Sequence, residues 1–212
     1  GSNNTASGYA SLYSNTTGAQ NTAVGGQALW KNQTGSSNTA VGQYALKQFR
    51  ASGSTYNTAV GRSAMRGPNS DSEYITGINN TAIGAGSMKV ITSGSNNTAL
   101  GYWSQYGATI TGDKNTSVGA TSMQSLVGGT SNSAVGYGAL YAITGGDFNN
   151  ALGKDAIKSL TTGDYNIGIG NSSLRDVTNG DENVAIGQSS LQNNTASGNT
   201  AIGHNSASAN TS

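Results

Sequence analysis

A five-residue stretch that recurs along the whole chain constrains the fold more than any other feature. Residues 21–25 read Asn-Thr-Ala-Val-Gly, and related copies are centred on eleven further glycines. The anchor glycines are Gly8, Gly25, Gly42, Gly61, Gly84, Gly101, Gly119, Gly136, Gly153, Gly170, Gly187 and Gly203. The usual step between them is 17 residues. A fixed period of this length is typical of a protein built from stacked repeats.

The composition favours a repeat fold over an ordinary globular core. The 212 residues include 32 glycines, one proline and no cysteine, and only 9% are charged. The apolar residues are too few and too evenly spread for a single compact core, yet their strict spacing argues against disorder. The net charge is +1 and no basic run exists, so we expect no nucleic-acid partner. No apolar stretch approaches membrane-spanning length, and we expect no membrane insertion.

Three repeat positions predict which side chains lie inside each coil. The residue before the anchor glycine is β-branched or leucine in eleven of the twelve copies, as at Val24, and the fourth residue after it is usually leucine or methionine, as at Leu29. The second residue before the anchor is alanine in ten copies, as at Ala23. Because neighbouring strand residues point to opposite faces, we expect Val24 and Leu29 to fill the interior and Ala23 to face outward, against an identical chain.

The fold predicted from this pattern is all-β. Each copy reads as a short strand, a bend, a second short strand and a turn whose glycine, seven residues before the anchor, supplies positive φ. About twelve 17-residue coils would form one β-solenoid, a parallel β-roll roughly 55 Å long. We expect a single repeat domain over 1–212 with an inserted loop at 66–78. Since one coil has a thin core, we also expect an intimate homotrimer.

Two copies carry a resemblance to known fibre proteins. Residues 183–187 and 80–84 read Asn-Val-Ala-Ile-Gly and Asn-Thr-Ala-Ile-Gly, and a small and an apolar residue follow each copy at 190–191 and 87–88. They resemble head repeats of YadA-like trimeric autotransporter adhesins. They are equally similar to repeats of bacteriophage tail fibres and of bacterial surface fibres that end in a self-cleaving, endosialidase-type chaperone domain. The resemblance covers essentially the whole chain. It implies left-handed parallel β-rolls side by side in a homotrimer, an extracellular location on a virion tail fibre or bacterial cell surface, and a role in attachment.

A column of outward residues provides candidates for ligand binding. The fifth residue after the anchor collects half of all the lysines and arginines, and three copies add a tyrosine directly after the glycine. Aromatic faces beside basic groups suit sugar rings and anionic glycans. The predicted glycan contacts are Tyr102, Trp103, Tyr106, Tyr137, Tyr141, Arg66 and Tyr74. The alternative is that these side chains only cover a solvated or intersubunit surface.

Two polar columns have structural interpretations beside functional ones. Asp113, Asp147, Asp164 and Asp181 follow turn glycines, so each is expected to close its own turn, although stacked carboxylates also suit Ca²⁺. The asparagine that opens each copy, as at Asn21, predicts an amide ladder. With one histidine, His204, and no cysteine, we expect no metal site and no cofactor.

The sequence leaves several functions open. A fibre segment that attaches to a host or prey cell surface, through a glycan or another receptor, is the main hypothesis, and a purely structural spacer beside a separate binding domain is the alternative. The threonine column, as at Thr22, is similar to arrays of ice-binding solenoids but is a single column rather than a paired grid. Asp71 and Glu73 form the one carboxylate pair suited to a polysaccharide depolymerase. This pair has no supporting context, so we expect no enzyme.

Overall fold

Each copy of the repeat forms one coil of a parallel β-solenoid. The computed structural model describes residues 1–70 and 72–209, and its main sheet has 12 parallel strands in chain order. The register pairs the same repeat position in successive coils, so that Ala23 lies beside Ala6 on one side and Ala40 on the other. The predicted all-β solenoid of stacked coils of about 17 residues is confirmed.

The strands are short and evenly spaced. They are β1 (Thr5–Ser7), β2 (Thr22–Val24), β3 (Gly35–Ser36), β4 (Thr39–Val41), β5 (Gly53–Ser54), β6 (Thr58–Val60), β7 (Thr81–Ile83), β8 (Thr98–Leu100), β9 (Thr116–Val118), β10 (Ser133–Val135), β11 (Asn150–Leu152), β12 (Ile167–Ile169), β13 (Val184–Ile186) and β14 (Thr200–Ile202). Strands β3 and β5 pair with each other, and all the others belong to the main sheet.

Most of each coil outside the main strand consists of turns rather than a second strand. The anchor Gly25 has a φ of 125°, and φ is also positive at Gln27 (58°) and Leu29 (50°). These residues still bond to adjacent coils, because the N–H of Gln27 donates to the carbonyl of Tyr9 at 2.8 Å and that of Leu29 to Ala45 at 3.0 Å. The predicted second strand is therefore wrong for most coils. A ladder of left-handed turns, held by inter-coil hydrogen bonds, takes its place.

The interior contains the strand face that the sequence analysis placed outside. Ala23 and Ala99 are fully buried within a single chain, whereas Val24 is 38% exposed and Leu152 is 51% exposed. The coil is too narrow for larger strand residues, because the side chain four residues after the anchor fills its centre. At Gly168, a Cβ would lie 2.6 Å from the Cγ1 of Ile157. The prediction that valine points inward and that alanine faces another chain is wrong, and only small residues fit the inner strand positions.

A second core column was not predicted. It lies about seven residues after the anchor and includes Phe49, Ile91, Leu126, Ile143 and Leu160, all fully buried. In the coil after Gly61, Ile75 of the inserted segment occupies this core position beside Phe49. The N–H of Ile75 donates to Gln48 and its carbonyl accepts from Arg50, both at 3.0 Å. The predicted loop at 66–78 is thus tied to the solenoid near both ends.

The predicted amide ladder runs through the interior. The Nδ2 of Asn132 donates to the Oδ1 of Asn115 at 3.1 Å and to the carbonyl of Gly146 at 2.7 Å. Its Oδ1 accepts the backbone N–H of Asn149 at 2.9 Å. The side chain is fully buried. Each asparagine therefore joins three successive coils and satisfies backbone groups that cannot reach water.

The glycines seven residues before the anchors have a different role from the predicted one. Gly129 does not lie in the left-handed region, unlike the anchor Gly136 with its φ of 138°. A Cβ on Gly129 would lie 2.5 Å from the carbonyl oxygen of Gly146 in the next coil. These positions require glycine because the backbones of adjacent coils approach closely, so the predicted positive φ is wrong.

Two adjacent glycines provide a test of this close approach. We expect Gly129→Ala to lower the free energy of unfolding by about 1–3 kcal/mol, because the added methyl group forces the coils apart. The control is Gly128→Ala, where the nearest atom to an added Cβ is the Thr111 Oγ1 at 3.9 Å. It is expected to leave stability unchanged or raise it by up to about 1 kcal/mol. Urea unfolding followed by circular dichroism measures the stability of both variants. Equal effects of the two substitutions would contradict the close approach of the backbones at Gly129.

The ladder provides a second test. Asn132→Asp keeps the acceptor oxygens but replaces the donor to Gly146 by a buried carboxylate. We expect a loss of at least about 2 kcal/mol at neutral pH. Part of the loss should be recovered at pH 4, because a protonated carboxyl group can donate again. Asn132→Ala, which has no titratable group, should show a pH-independent difference from wild type. A pH-independent loss in both variants would contradict this account.

Candidate functional site

Two adjoining recesses lie on the side of the rod. The first, the basic pocket, has a volume of about 360 Å³ and is lined by Tyr44, Lys47, Arg62, Arg66, Lys89 and Trp103 together with smaller neighbours. The second, the aromatic pocket, has a volume of about 500 Å³ and is lined by Tyr102, Trp103, Gln124, Tyr137, Tyr141 and Asp155 with their neighbours. Tyr102 and Trp103 belong to both recesses, so the two pockets adjoin and share a wall, and together they are called the groove.

The recesses arise from glycines two residues after the anchor. Trp103 occupies this position with a φ of 53°, and Gly86 occupies it in the preceding coil with a φ of 66°. A Cβ on Gly86 would lie 2.7 Å from the Cδ1 of Trp103, so the indole rests on the backbone of the coil beside it. Likewise, a Cβ on Gly138 would lie 2.7 Å from the Oδ1 of Asp155 in the next coil. A missing side chain in one coil therefore makes room for a large one in the next.

Aromatic rings cluster at the shared wall. The rings of Tyr102 and Trp103 are stacked, with centroids 4.7 Å apart and planes 17° apart. Trp103 also contacts Tyr106, with centroids 5.0 Å apart. Tyr102, Trp103 and the nearby Tyr137 remain exposed. The cluster thus offers rigid, solvent-facing aromatic surface of the kind that binds apolar faces of sugar rings.

The cations around the basic pocket are held by aromatic rings. The Lys47 Nζ lies 4.9 Å from the centre of the Trp30 ring and 5.1 Å from that of Tyr44. The Arg66 guanidinium lies 5.6 Å from the Tyr44 ring. These cation–π contacts hold the basic groups beside the rings.

Charge is distributed unevenly along the rod. None of the described residues that line the basic pocket is acidic. Farther along the chain two cations have carboxylate partners: Lys158 pairs with Asp155 at 3.0 Å, and Arg175 with Asp176 at 2.8 Å. The hydrogen bond from Arg175 lowers the pKa of Asp176 below its ordinary value. The described lining of the basic pocket therefore contains cations and no acidic residue.

The structure brings most of the predicted glycan contacts together. Arg66 lies in the basic pocket, Tyr137 and Tyr141 lie in the aromatic pocket, and Tyr102 and Trp103 lie in both. Tyr106 contacts the Trp103 ring but lines neither pocket. Tyr74 lies in neither pocket and instead stacks on Arg50, with 3.9 Å from the guanidinium carbon to the ring centre.

Sequence reasoning missed two groups of pocket residues. The lining residues Lys47 and Lys89 belong to the predicted outward column but were not selected. Tyr44 and Arg62 lie outside that column. The signal that could have found the pockets is the glycine two residues after the anchor, at 86 and 138, where other copies have side chains.

An apolar stripe runs along the outer face of the main sheet. It is formed by the residues before the anchors, which are exposed or half-buried, and it is flanked by the threonine column. The outward strand positions carry no charged side chain in any of the described strands of the main sheet. The stripe comprises Val24, Val41, Val60, Ile83, Leu100, Val118, Val135, Leu152, Ile169, Ile186 and Ile202.

The aspartate column joins coils rather than closing turns. The Oδ1 of Asp147 accepts the backbone N–H of Thr130 in the preceding coil, and the Oδ1 of Asp164 accepts that of Asp147, both at 2.7 Å. The prediction that each aspartate closes its own turn is therefore wrong. Within 1–70 and 72–209, no group of three or more acidic or histidine side chains could hold a metal ion. Of the carboxylate pair in the inserted loop, Glu73 is exposed and Asp71 lies outside the described residues.

Comparisons with known proteins add no family assignment. No protein-family model, curated protein or solved structure matches the chain. In the part of the chain that the structure describes, no helix has the length and apolar character needed to cross a bilayer.

Proposed function

We propose that the protein is a segment of a homotrimeric extracellular fibre that attaches to a host or prey cell surface by binding glycans. The setting would be a virion tail fibre or a bacterial surface fibre. The observation that carries the proposal is the groove of two adjoining pockets, in which exposed aromatic rings lie beside cations that aromatic side chains hold in place. We propose no catalytic activity.

The groove has the chemistry that sugar recognition needs. Stacked rings such as Tyr102 and Trp103 present a flat apolar surface to the C–H face of a pyranose. Cations and amides around them, such as Lys89 and Gln124, can donate hydrogen bonds to hydroxyl or acidic oxygens. Single sites of this open kind bind weakly. A rigid rod that carries three copies of the groove would convert weak contacts into firm attachment through effective concentration.

The apolar stripe supports the homotrimer, although through a different face from the predicted one. Soluble monomers rarely expose long contiguous apolar patches, and parallel sheets are normally covered on both faces. Here the inner face of the main sheet packs on the coil interior, while valine, isoleucine and leucine on the outer face meet solvent in a single chain. Three copies around one axis would cover the stripe in a closed arrangement.

The alternative function is a structural spacer. It is favoured by the uniformity of the rod, since the apolar stripe continues from β2 to β14. The groove, by contrast, occupies only the middle coils, with lining residues between 44 and 158. In a spacer those side chains would merely cover the surface, and a neighbouring domain would bind the receptor.

Glycan binding separates the two functions. We expect wild-type protein to bind a subset of a glycan array and Trp103→Ala to lose about tenfold in affinity, about 1.4 kcal/mol, because the stacking wall of both pockets is removed. Tyr13→Ala is the control, since Tyr13 is an exposed aromatic residue outside both pockets. A blank array with an intact assembly would favour the spacer.

The oligomeric state tests the assembly face. We expect wild-type protein to have a trimeric mass by native mass spectrometry, and the double variant Val118→Lys with Val135→Lys to be monomeric, because two charges per chain would be buried in the stripe. The control is Ser131→Lys, at a position that Lys114 already occupies in the preceding coil with nearly the same φ. Monomeric wild-type protein at micromolar concentration, or trimers of the double variant, would count against this interface.

A further inference from the structure

The basic pocket gathers cations from three consecutive coils. Lys47 follows the anchor at 42, Arg62 and Arg66 follow the anchor at 61, and Lys89 follows the anchor at 84. Adjacent coils lie about 4.8 Å apart, so Arg62, Arg66 and Lys89 line one recess from neighbouring coils. None of the described lining residues is acidic, so no lining carboxylate faces these three groups. Such a recess focuses positive potential and attracts an anionic ligand.

Arg66 has an unmet hydrogen-bond donor in this pocket. Its Nε is buried and has no hydrogen-bond partner among the described residues, while its guanidinium lies against the Tyr44 ring. Buried donors are almost always satisfied in native proteins. A guanidinium fixed in this way is suited to a carboxylate or sulfate, whose two oxygens can accept from it.

The aromatic pocket has no net charge, because Asp155 and Lys158 both line it. The Oδ1 of Asp155 is ion-paired with Lys158 at 3.0 Å, yet it is buried and accepts no hydrogen bond from the described residues. A carboxylate oxygen in this setting can accept from a hydroxyl group, and its charge offsets that of Lys158. The exposed rings of Tyr102 and Tyr137 provide stacking surface beside it. This pocket therefore favours a neutral sugar unit.

We propose that the groove binds an acidic polysaccharide lengthwise, with a carboxylate or sulfate in the basic pocket and a neutral sugar unit in the aromatic pocket. The chain would cross the ring of Trp103, the residue common to both pockets, and lie along the rod axis. The volumes of about 360 and 500 Å³ are at the lower end for small-molecule sites, so each pocket accommodates a short part of the polymer. The inference rests on the glycan-binding function proposed above and adds the charge pattern and direction of the ligand.

Defined oligosaccharides test the charge pattern. The probes are a κ-carrageenan tetrasaccharide, in which sulfated and neutral units alternate, a hyaluronan tetrasaccharide, in which carboxylated and neutral units alternate, and an agarose tetrasaccharide, which has a closely related uncharged backbone. Titration calorimetry with the full chain is expected to give at least about tenfold tighter binding of one or both alternating probes than of agarose. The two alternating probes distinguish sulfate from carboxylate.

Matched variants locate the anion. Arg66→Gln is expected to weaken binding of the preferred alternating probe about tenfold, with Arg66→Lys intermediate because it keeps the charge but loses the planar fork. The control Lys154→Gln removes the same charge from an exposed site outside both pockets and should change nothing. Thermal melting verifies that each variant is folded. If Arg66→Gln does not fold, Lys89→Gln replaces it.

A further variant tests the order of the units. Wild-type protein should discriminate against oligogalacturonate, in which every unit is acidic, and Asp155→Asn should reduce that discrimination several-fold.

Equal binding of agarose and the alternating probes, without an effect of Arg66→Gln, would overturn the inference and leave glycan binding intact. Failure of every glycan to bind would overturn the proposed function itself. Comparable binding of an oligothymidylate, weakened equally by Lys154→Gln, would indicate nonspecific polyanion binding and also overturn the inference.

Discussion

Stacking of one coil on the next determines what every other position can be. Each coil bonds to its neighbours through strand pairs, through turn residues such as Gln27 and Leu29, and through buried amides such as Asn132. Because all three sets of hydrogen bonds must form at the same coil spacing, the backbones approach closely. The glycines at 129 and 146 occupy one such contact. Registered stacking therefore fixes the period, and any residue that widens one coil disturbs the coils on both sides.

The narrow interior explains why apolar residues occur on both sides of the strand. Only alanine, serine or glycine fits at the inner strand position, since side chains such as Ile157 fill the centre of the coil. The hydrophobic stabilisation within one chain thus comes from the turn side and from the second column at Ile143 and Leu160. The aliphatic residues of the strand are displaced outward. One constraint accounts for both the small inner residues and the apolar stripe.

The sequence allowed prediction of the coil but not of its inside. The period and the alternation identified a parallel solenoid, yet alternation defines two faces without saying which is buried, and the larger residue Val24 was wrongly placed inside. The glycines were equally ambiguous, because a position can require glycine either for a positive φ or for lack of space for a Cβ. Gly129 is glycine for lack of space, and its φ is not positive. The second core column escaped detection because its spacing shifts at Ile75 and Ile110.

The candidate site could be predicted as a column but not as a pocket. Outward aromatic and basic residues follow from the repeat alone, whereas the recess beside Trp103 depends on Gly86 in another coil. In a rod of near-identical coils, a specific site requires positions where successive coils differ. Such differences are concentrated on the outer turns, because the inner positions must repeat for the coils to stack. The constraint that makes the rod uniform inside thus leaves its outer side free to vary, and the groove lies where a glycine in one coil faces a larger side chain in the next, as Gly86 faces Trp103.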